Sequence, residues 1–242
     1  MTKNIVGGKL AVIWDFDGTL VDSHPKNLSV NREILQRITG REYTDFPALE
    51  STRAYEEAVA RSGNWRDFYH REFGLTGDDV MRAGALWPEL QLADPTPQVP
   101  FEGIAGALEA LAAVPHAILS QNDSVVIRQA LARAGLLEKF VAVFGHGELD
   151  RPDQKPAGGG LLRCIESLGL DDGARIYFVG DHVTDVMAAM DARLLLNGRI
   201  LEIVSVGVLF GEPAGSHWPV APDYFVRSPT ELVRLVRDGT AG

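Results

Sequence analysis

A chain of 242 residues, 45% of them hydrophobic, is long enough to bury a core domain together with a smaller second one. Acidic residues outnumber basic ones by 33 to 23 and give a formal net charge of -10, which argues against nucleic acid or an anionic membrane as the main partner. A single cysteine, Cys164, excludes an intrachain disulfide, and no run of 18 apolar residues occurs, so the sequence predicts a cytoplasmic protein without a membrane span.

The first predicted element is a buried strand at residues 10–14, where five apolar residues stop abruptly at the polar loop that begins with Asp15. Residues 22–98 then break the pattern, because they show helical periodicity and polar turns but no convincing buried strand. The sequence therefore predicts an all-helical cap domain at 22–98, inserted into a core domain that is made of residues 1–21 and 99–242.

Strand-like and helix-like segments alternate through the rest of the chain. Strands that alternate with helices imply right-handed crossovers between parallel strands. The predicted core is therefore an α/β fold, a doubly wound, Rossmann-like parallel sheet. The predicted strands after the first are 116–119, 140–144, 176–179, 201–209 and 224–226, and the predicted helices are 103–113, 124–134, 158–168 and 230–237.

Polar residues follow several of these strands directly. Because ligands of parallel α/β sheets bind outside the carboxyl ends of the strands, we expect these residues to meet at one edge of the sheet. They include several carboxylates, one lysine and one hydroxyl, a set that is typical of phosphoryl transfer. In chain order they are Asp15, Asp17, Ser120, Asn122, Lys155, Asp181 and Asp185.

Such a site needs positive charge, because a phosphomonoester dianion repels a carboxylate nucleophile. Mg²⁺ fits, since it prefers hard oxygen ligands and aspartates at two strand ends supply them. Lys155 is expected to add a fixed positive charge, and Ser120 to donate a hydrogen bond to a phosphoryl oxygen. Gly18 lets the backbone turn sharply, so that amide hydrogens after the strand can face the phosphate.

The two aspartates of the first loop are predicted to have different roles. Asp15, held beside the metal, stays ionised and attacks the phosphorus. Asp17 points toward the leaving oxygen, protonates the alcohol and then deprotonates the water that hydrolyses the aspartyl phosphate. Like charges so close together separate their pKa values, which is how one carboxyl group is kept protonated.

Four motifs in this order resemble those of the haloacid dehalogenase (HAD) superfamily, in particular its phosphoglycolate-phosphatase-like members with a helical cap. They are residues 15–23 (DFDGTLVDS), the hydroxyl of Ser120, Lys155 with Pro156, and residues 180–185 (GDHVTD). The resemblance extends over roughly residues 10 to 230.

The resemblance implies a role for each matching residue. Asp15 is the implied nucleophile and Asp17 the implied acid/base. Mg²⁺ is expected to bind Asp15, the main-chain carbonyl of Asp17 and Asp181, with Asp185 assisting through water or a hydrogen bond. The expected substrate contacts are Gly18, Thr19 and Asn122.

The sequence departs from the family pattern at two places. Family members commonly carry Asn directly after the second-motif hydroxyl, whereas Gln121 stands here before Asn122. Residues 192–199 also form a longer connection than expected before the next strand, and we interpret them as an extra turn or as a surface for a partner.

Several assignments have structural alternatives. Ser120 is also placed to cap the following helix, Asp185 to favour a helix N-terminus, and Lys155 to be an ordinary surface lysine before a proline. In the predicted cap, five residues could reach a substrate but are equally typical of solvated helix faces: Arg53, Arg61, Trp65, His70 and Arg71.

The function predicted from these patterns is Mg²⁺-dependent hydrolysis of a small phosphorylated metabolite, a phosphomonoester, through an aspartyl phosphate. A phosphomutase differs only in the acceptor of the phosphoryl group and stays an alternative. Dehalogenation needs neither Asp17 nor Asp181, and phosphonate cleavage needs a cap lysine, for which Lys26 lies too near the start of the cap. A non-catalytic binding module on the same fold is the alternative from another class.

Overall fold

The computed structural model describes residues 10–196, 198–210 and 218–239. The chain divides into two compact units, one made of Met1–Val21 and Pro100–Gly242 and the other of Asp22–Val99. That these units are a catalytic core domain and a cap domain stays a proposal.

The first unit contains a six-stranded sheet over the residues that the structure describes. All neighbouring strands are parallel, in the order β5-β4-β1-β6-β7-β8. The strands are β1 (Leu10–Trp14), β4 (His116–Leu119), β5 (Ala142–Phe144), β6 (Arg175–Gly180), β7 (Glu202–Val208) and β8 (Tyr224–Val226). The helices are α5 (Ile104–Ala110), α6 (Ser124–Arg133), α7 (Gly159–Ser167), α8 (Val183–Leu194) and α9 (Pro229–Asp238), with short 3₁₀ turns at Leu137–Lys139, His146–Glu148 and Arg151–Asp153.

Helices cover both faces of this sheet. Residues of β1 alternate between the two layers, since Val12 and Trp14 pack with α5, α6 and α9 while Ala11 and Ile13 pack with α7 and α8. Burial on both faces explains why the strands are continuous apolar runs rather than alternating ones. The predicted α/β, doubly wound parallel sheet is confirmed.

The second unit is helical. Its helices are α1 (His24–Thr39), α2 (Thr52–Ala60), α3 (Trp65–Phe73) and α4 (Asp78–Ala93), with 3₁₀ turns at Tyr43–Asp45 and Pro47–Leu49. The two-residue strands β2 (Val21–Asp22) and β3 (Val99–Pro100) pair with each other where the chain passes between the units. The core of this unit is rich in aromatic residues, and Phe68 and Phe73 pack edge to face with ring centroids 5.0 Å apart.

Residues 192–199, the connection that the sequence marks as long, begin inside a helix. Helix α8 continues to Leu194, so that the first three residues of this segment are helical, and turn residues follow. The segment therefore begins as the last residues of α8, and its interpretation as an extra turn stays a prediction. Asn197 lies outside the described residues, and a partner surface here stays a prediction.

No helix in the described part of the chain is both long enough and apolar enough to cross a bilayer.

Candidate active site

The ends of β1 and of the strands on either side of it form the site. Asp15 follows β1 directly, Ser120 follows β4 and Asp181 follows β6. Strands β4 and β6 are the two hydrogen-bonded neighbours of β1, so the three loops are adjacent at the carboxyl edge of the sheet.

Three carboxylates gather at this edge. Asp15, Asp181 and Asp185 each offer one oxygen, and these oxygens lie within 4.8 Å of one another. Three carboxylates against the single ammonium of Lys155 leave an excess of negative charge in a largely buried place. Hard oxygen donors in this arrangement suit a divalent cation such as Mg²⁺, and the residues present fit the metal that the family pattern implies.

Lys155 lies between two of these carboxylates. Its Nζ donates to Asp15 Oδ1 at 2.7 Å and to Asp185 Oδ1 at 2.6 Å, and its side chain is only 4% exposed. Burial alone would lower the pKa of Lys155, but the two carboxylates outweigh it and raise this pKa above its ordinary range. Lys155 is therefore a charged, buried side chain and not a surface lysine.

Asp185 has the helix N-terminal position that the sequence allowed and also contacts Lys155, and its part in metal binding stays a prediction. It stands in the first turn of α8, where its Oδ2 accepts a hydrogen bond from the backbone N–H of His182 at 3.1 Å. Its other oxygen accepts from Lys155. Burial raises the pKa of Asp185 to about 6, against the opposing effect of the Lys155 ammonium. Helix capping and the ion pair together fix this carboxylate.

Gly18 and Thr19 hold the side chain of Asp181. Gly18 has φ +74°, and a Cβ at this position would lie 2.1 Å from Asp181 Oδ2, so only glycine fits. The hydroxyl of the fully buried Thr19 donates to Asp181 Oδ1 at 3.1 Å. The Gly18 amide donates to the carbonyl of Val21 at 3.0 Å, and the expected contact of other amides of this loop with a phosphate stays a prediction. Both residues therefore position a carboxylate, and their contact with a substrate stays a prediction.

The loop after β4 approaches Asp17. Asn122 Nδ2 donates to Asp17 Oδ2 at 2.9 Å, and the backbone N–H of Asn122 donates to Ser120 Oγ at 3.1 Å. The cap of α6 is Asp123, whose side chain accepts from Val125, so Ser120 does not have the capping role. The Ser120 hydroxyl hydrogen can still be donated elsewhere, and its donation to a phosphoryl oxygen stays a prediction.

The structure brings all of the predicted catalytic and metal-binding side chains to the same edge of the sheet. Asp17 differs from the other aspartates, since the group of three carboxylates consists of Asp15, Asp181 and Asp185. Its expected part in metal binding is through its main-chain carbonyl, and this stays a prediction.

Glu148 is a supporting residue that the sequence did not indicate as part of the site. Glu148 accepts a hydrogen bond from the Ser124 hydroxyl, and its other oxygen accepts from the amide of Gly145 at 3.0 Å. These contacts tie the start of α6 to the end of β5. The only sequence signal was the position of Glu148 three residues after Gly145, a weak form of the capping-box pattern.

Three of the five candidate cap residues are already paired with acidic side chains. Arg53, Arg61 and Arg71 pair with acidic residues of the helical unit itself, as exposed side chains usually do. These contacts favour the interpretation of solvated helix faces for the three arginines.

Comparison with known proteins places the chain among hydrolases. A family model described as haloacid dehalogenase-like hydrolase matches residues 10–193. The chain is similar to N-acetylmuramic acid 6-phosphate phosphatase of Pseudomonas aeruginosa, with 25% identity over 93% of this chain and 94% of the relative. It is also similar to phosphoglycolate phosphatase of Chromobacterium violaceum, with 26% identity over 95% of this chain and 97% of the relative.

A solved structure supports the fold. A HAD-superfamily hydrolase of subfamily IA from Geobacter sulfurreducens has a TM-score of 0.64 at 22% identity, and the match covers 94% of this chain and 100% of that one. The family model spans all four motifs of the sequence, so the resemblance inferred from them is confirmed. This chain belongs to the haloacid dehalogenase-like hydrolase family.

Proposed function

We propose that this protein is a Mg²⁺-dependent phosphatase that hydrolyses a small phosphomonoester through an aspartyl phosphate on Asp15. One observation carries the proposal: Asp15 lies at the end of β1 with its carboxylate bonded to the buried ammonium of Lys155, beside the carboxylates of Asp181 and Asp185. The names of two relatives, which are both phosphatases, support the same activity.

In the first step, a carboxylate oxygen of Asp15 forms a bond to phosphorus while the bond from phosphorus to the ester oxygen breaks. Asp17 gives its proton to that departing oxygen, which leaves as the alcohol. Lys155 orients Asp15, since its ammonium binds one oxygen of that carboxylate.

In the second step, Asp17, now ionised, takes a proton from a water molecule. The resulting hydroxide attacks the phosphorus of the aspartyl phosphate, and the bond between phosphorus and the Asp15 oxygen breaks. Inorganic phosphate leaves, Asp15 is a carboxylate again and Asp17 is protonated again. The same two residues are thereby ready for another turnover.

Asp15, Asp181 and Asp185 are the side chains that would hold Mg²⁺, with the main-chain carbonyl of Asp17 as a further donor. When bound, the ion supplies the positive charge that lets an anionic ester approach an anionic nucleophile. Gly18 and Thr19 contribute by fixing Asp181, so that this donor is in place before any ligand arrives.

The contacts of Lys26 speak against phosphonate cleavage. That reaction requires a neutral lysine amine, whereas Lys26 Nζ donates to the carbonyls of Asp94 at 2.7 Å and Thr96 at 3.0 Å inside the helical unit. The ammonium is therefore used to hold the end of this unit.

Two further alternatives are weakened by the composition of the site. A dehalogenase has no use for a leaving-group acid or for a group of three carboxylates, and both are present. A non-catalytic module would not require the buried pair of Asp15 and Lys155, which is costly to keep unless it serves a purpose.

The substrate class is proposed from the relatives. Both of their names describe phosphate esters of aliphatic alcohols, so we propose an alkyl phosphomonoester of metabolite size for this chain.

Phosphate release from a panel of alkyl and aryl phosphomonoesters, with Mg²⁺ and with a chelator, tests the proposal. We expect activity that depends on Mg²⁺ and falls by at least about 10³-fold in Asp15→Asn. The control is Asp171→Asn, the same change at an exposed aspartate, which should retain wild-type activity. An inactive wild type, or equal activity in Asp15→Asn and wild type, would overturn the proposed function.

A further inference from the structure

The side chain of Asn122 has a defined orientation. The backbone N–H of Asp123 donates to Asn122 Oδ1 at 2.8 Å. Because a backbone amide can only donate, the acceptor end of the Asn122 amide is fixed at this contact. The donor end, Nδ2, is therefore the atom that faces Asp17 Oδ2 at 2.9 Å.

The loop that carries Asn122 is also held firmly. Asn122 is only 4% exposed, its N–H donates to Ser120 Oγ at 3.1 Å, and its carbonyl accepts from the N–H of His146 at 2.8 Å. Gly145 packs so closely that a Cβ there would lie 2.6 Å from the Asn122 carbonyl oxygen. The amide is thus fixed before substrate binds, and little side-chain entropy is lost when it is used.

We propose that Asn122 is a positioning residue that holds the Asp17 carboxyl group in the orientation for proton transfer, rather than a phosphate contact. This inference rests on the proposed function, because it assigns a task in the same reaction. Asn122 Nδ2 can only donate, so Asp17 Oδ2 is the accepting oxygen at this contact, and Oδ1 is the oxygen that the contact leaves for the proton of the departing alcohol. That proton moves to the ester oxygen as its bond to phosphorus breaks, and Asp17 is left as a carboxylate.

This role also explains the departure from the family pattern. Gln121 takes the place directly after the Ser120 hydroxyl, and the amide that reaches the site belongs to the next residue. The contact with the proposed acid/base is therefore made by the second residue after Ser120 and not by the first.

The dependence of rate on the leaving group separates the two roles. An alkoxide is a poor leaving group and needs a proton in the transition state, whereas p-nitrophenolate leaves with little help. A phosphate contact would instead be lost equally for every ester. The parameter to compare is kcat/KM, because it reports the steps up to phosphoryl transfer and is insensitive to hydrolysis of the aspartyl phosphate.

The experiment uses the full chain with Mg²⁺ and two variants, Asn122→Leu and Asn122→Asp. The second variant keeps the shape and the acceptor for the Asp123 amide but removes the donor to Asp17, so it replaces the first if Asn122→Leu does not fold. We expect kcat/KM to fall by about 100-fold or more on alkyl phosphates and by less than about 5-fold on p-nitrophenyl phosphate. Inhibition by inorganic phosphate should be unchanged in Asn122→Leu.

Gln121→Leu, the same substitution one residue earlier, is the matched control and should behave as wild type on both esters. Equal losses on alkyl and aryl esters, or weaker inhibition by inorganic phosphate in Asn122→Leu, would overturn the positioning role and favour a phosphate contact. Those outcomes leave the proposed function standing, as long as the wild type is active and Asp15→Asn is not. An inactive wild type would refute the proposed function itself.

Discussion

Replacing Lys155 by methionine should destabilise the protein strongly. Methionine fills a similar volume without the ammonium, and it leaves the carboxylates of Asp15 and Asp185 facing each other in a buried place. Removing one partner of a buried ion pair typically costs about 3–5 kcal/mol, because the remaining charge has lost its compensation. We expect a loss of this size in the free energy of unfolding of Lys155→Met.

Urea denaturation in the presence of a chelator, followed by circular dichroism, measures this difference. The control is Lys139→Met, which breaks the surface pair of Lys139 and Glu109 at an N–O distance of 2.5 Å, no longer than the buried contacts. Because water solvates that pair, its loss should change stability far less. If the two variants lose similar stability, burial does not decide the strength of these pairs and the reasoning is refuted.

Two further predictions concern a glycine and a histidine of the core unit. Gly18→Ala should push Asp181 aside and lower kcat/KM by about 100-fold or more. The control is Gly135→Ala, also at positive φ but with open space around the added Cβ, which should keep wild-type activity. Equal activity of the two variants would contradict the steric argument. Burial lowers the pKa of His116 to about 4, and its Nδ1 accepts a hydrogen bond from Trp14, so the folded state resists protonation. The unfolded chain protonates this group near pH 6.5, so stability should be full above that pH and fall by up to about 3 kcal/mol as the pH drops to 4. Urea titrations of His116→Gln should show a weaker pH dependence in this window, and an unchanged one would refute the assignment.

The strands could be predicted from the sequence because burial on both faces demands continuous apolar runs. The predicted ends of a strand were less accurate where an apolar run continues beyond the residues that pair in the sheet. The run at 140–144 yields a strand only from Ala142, since Phe140 closes a 3₁₀ turn and Val141 is 47% exposed. Apolar character alone does not distinguish the two situations.

Which residues lie at the site could be predicted from where the strands end. Polar residues at the ends of adjacent parallel strands must lie close together, whatever their side chains do. Individual contacts were not predictable, because they depend on side-chain rotamers across long sequence distances. Thr19 reaches Asp181, 162 residues away, and Asn122 reaches Asp17, 105 residues away. The sequence therefore indicated which loops meet but assigned these two residues to the substrate rather than to carboxylates.

The aspartate side chains of the site differ in the kind of group that donates to them. Asp15 and Asp185 share the ammonium of Lys155, which donates to one oxygen of each and compensates their charges in a buried place. Because Lys155 is almost completely buried, solvent does not screen this effect as it would at the surface. The charge of one lysine thus serves two carboxylates.

Asp17 is held by a different kind of donor. The Asn122 amide binds it without a net charge, so the contact fixes the direction of the carboxyl group while imposing less preference for the ionised form than an ammonium would. An acid/base must exist in both protonation states within each turnover, and a neutral donor is compatible with both. Under the proposed mechanism, exchanging the two kinds of donor would trap Asp17 as a carboxylate and leave the departing alkoxide without a proton, which is why the amide at residue 122 matters to the reaction.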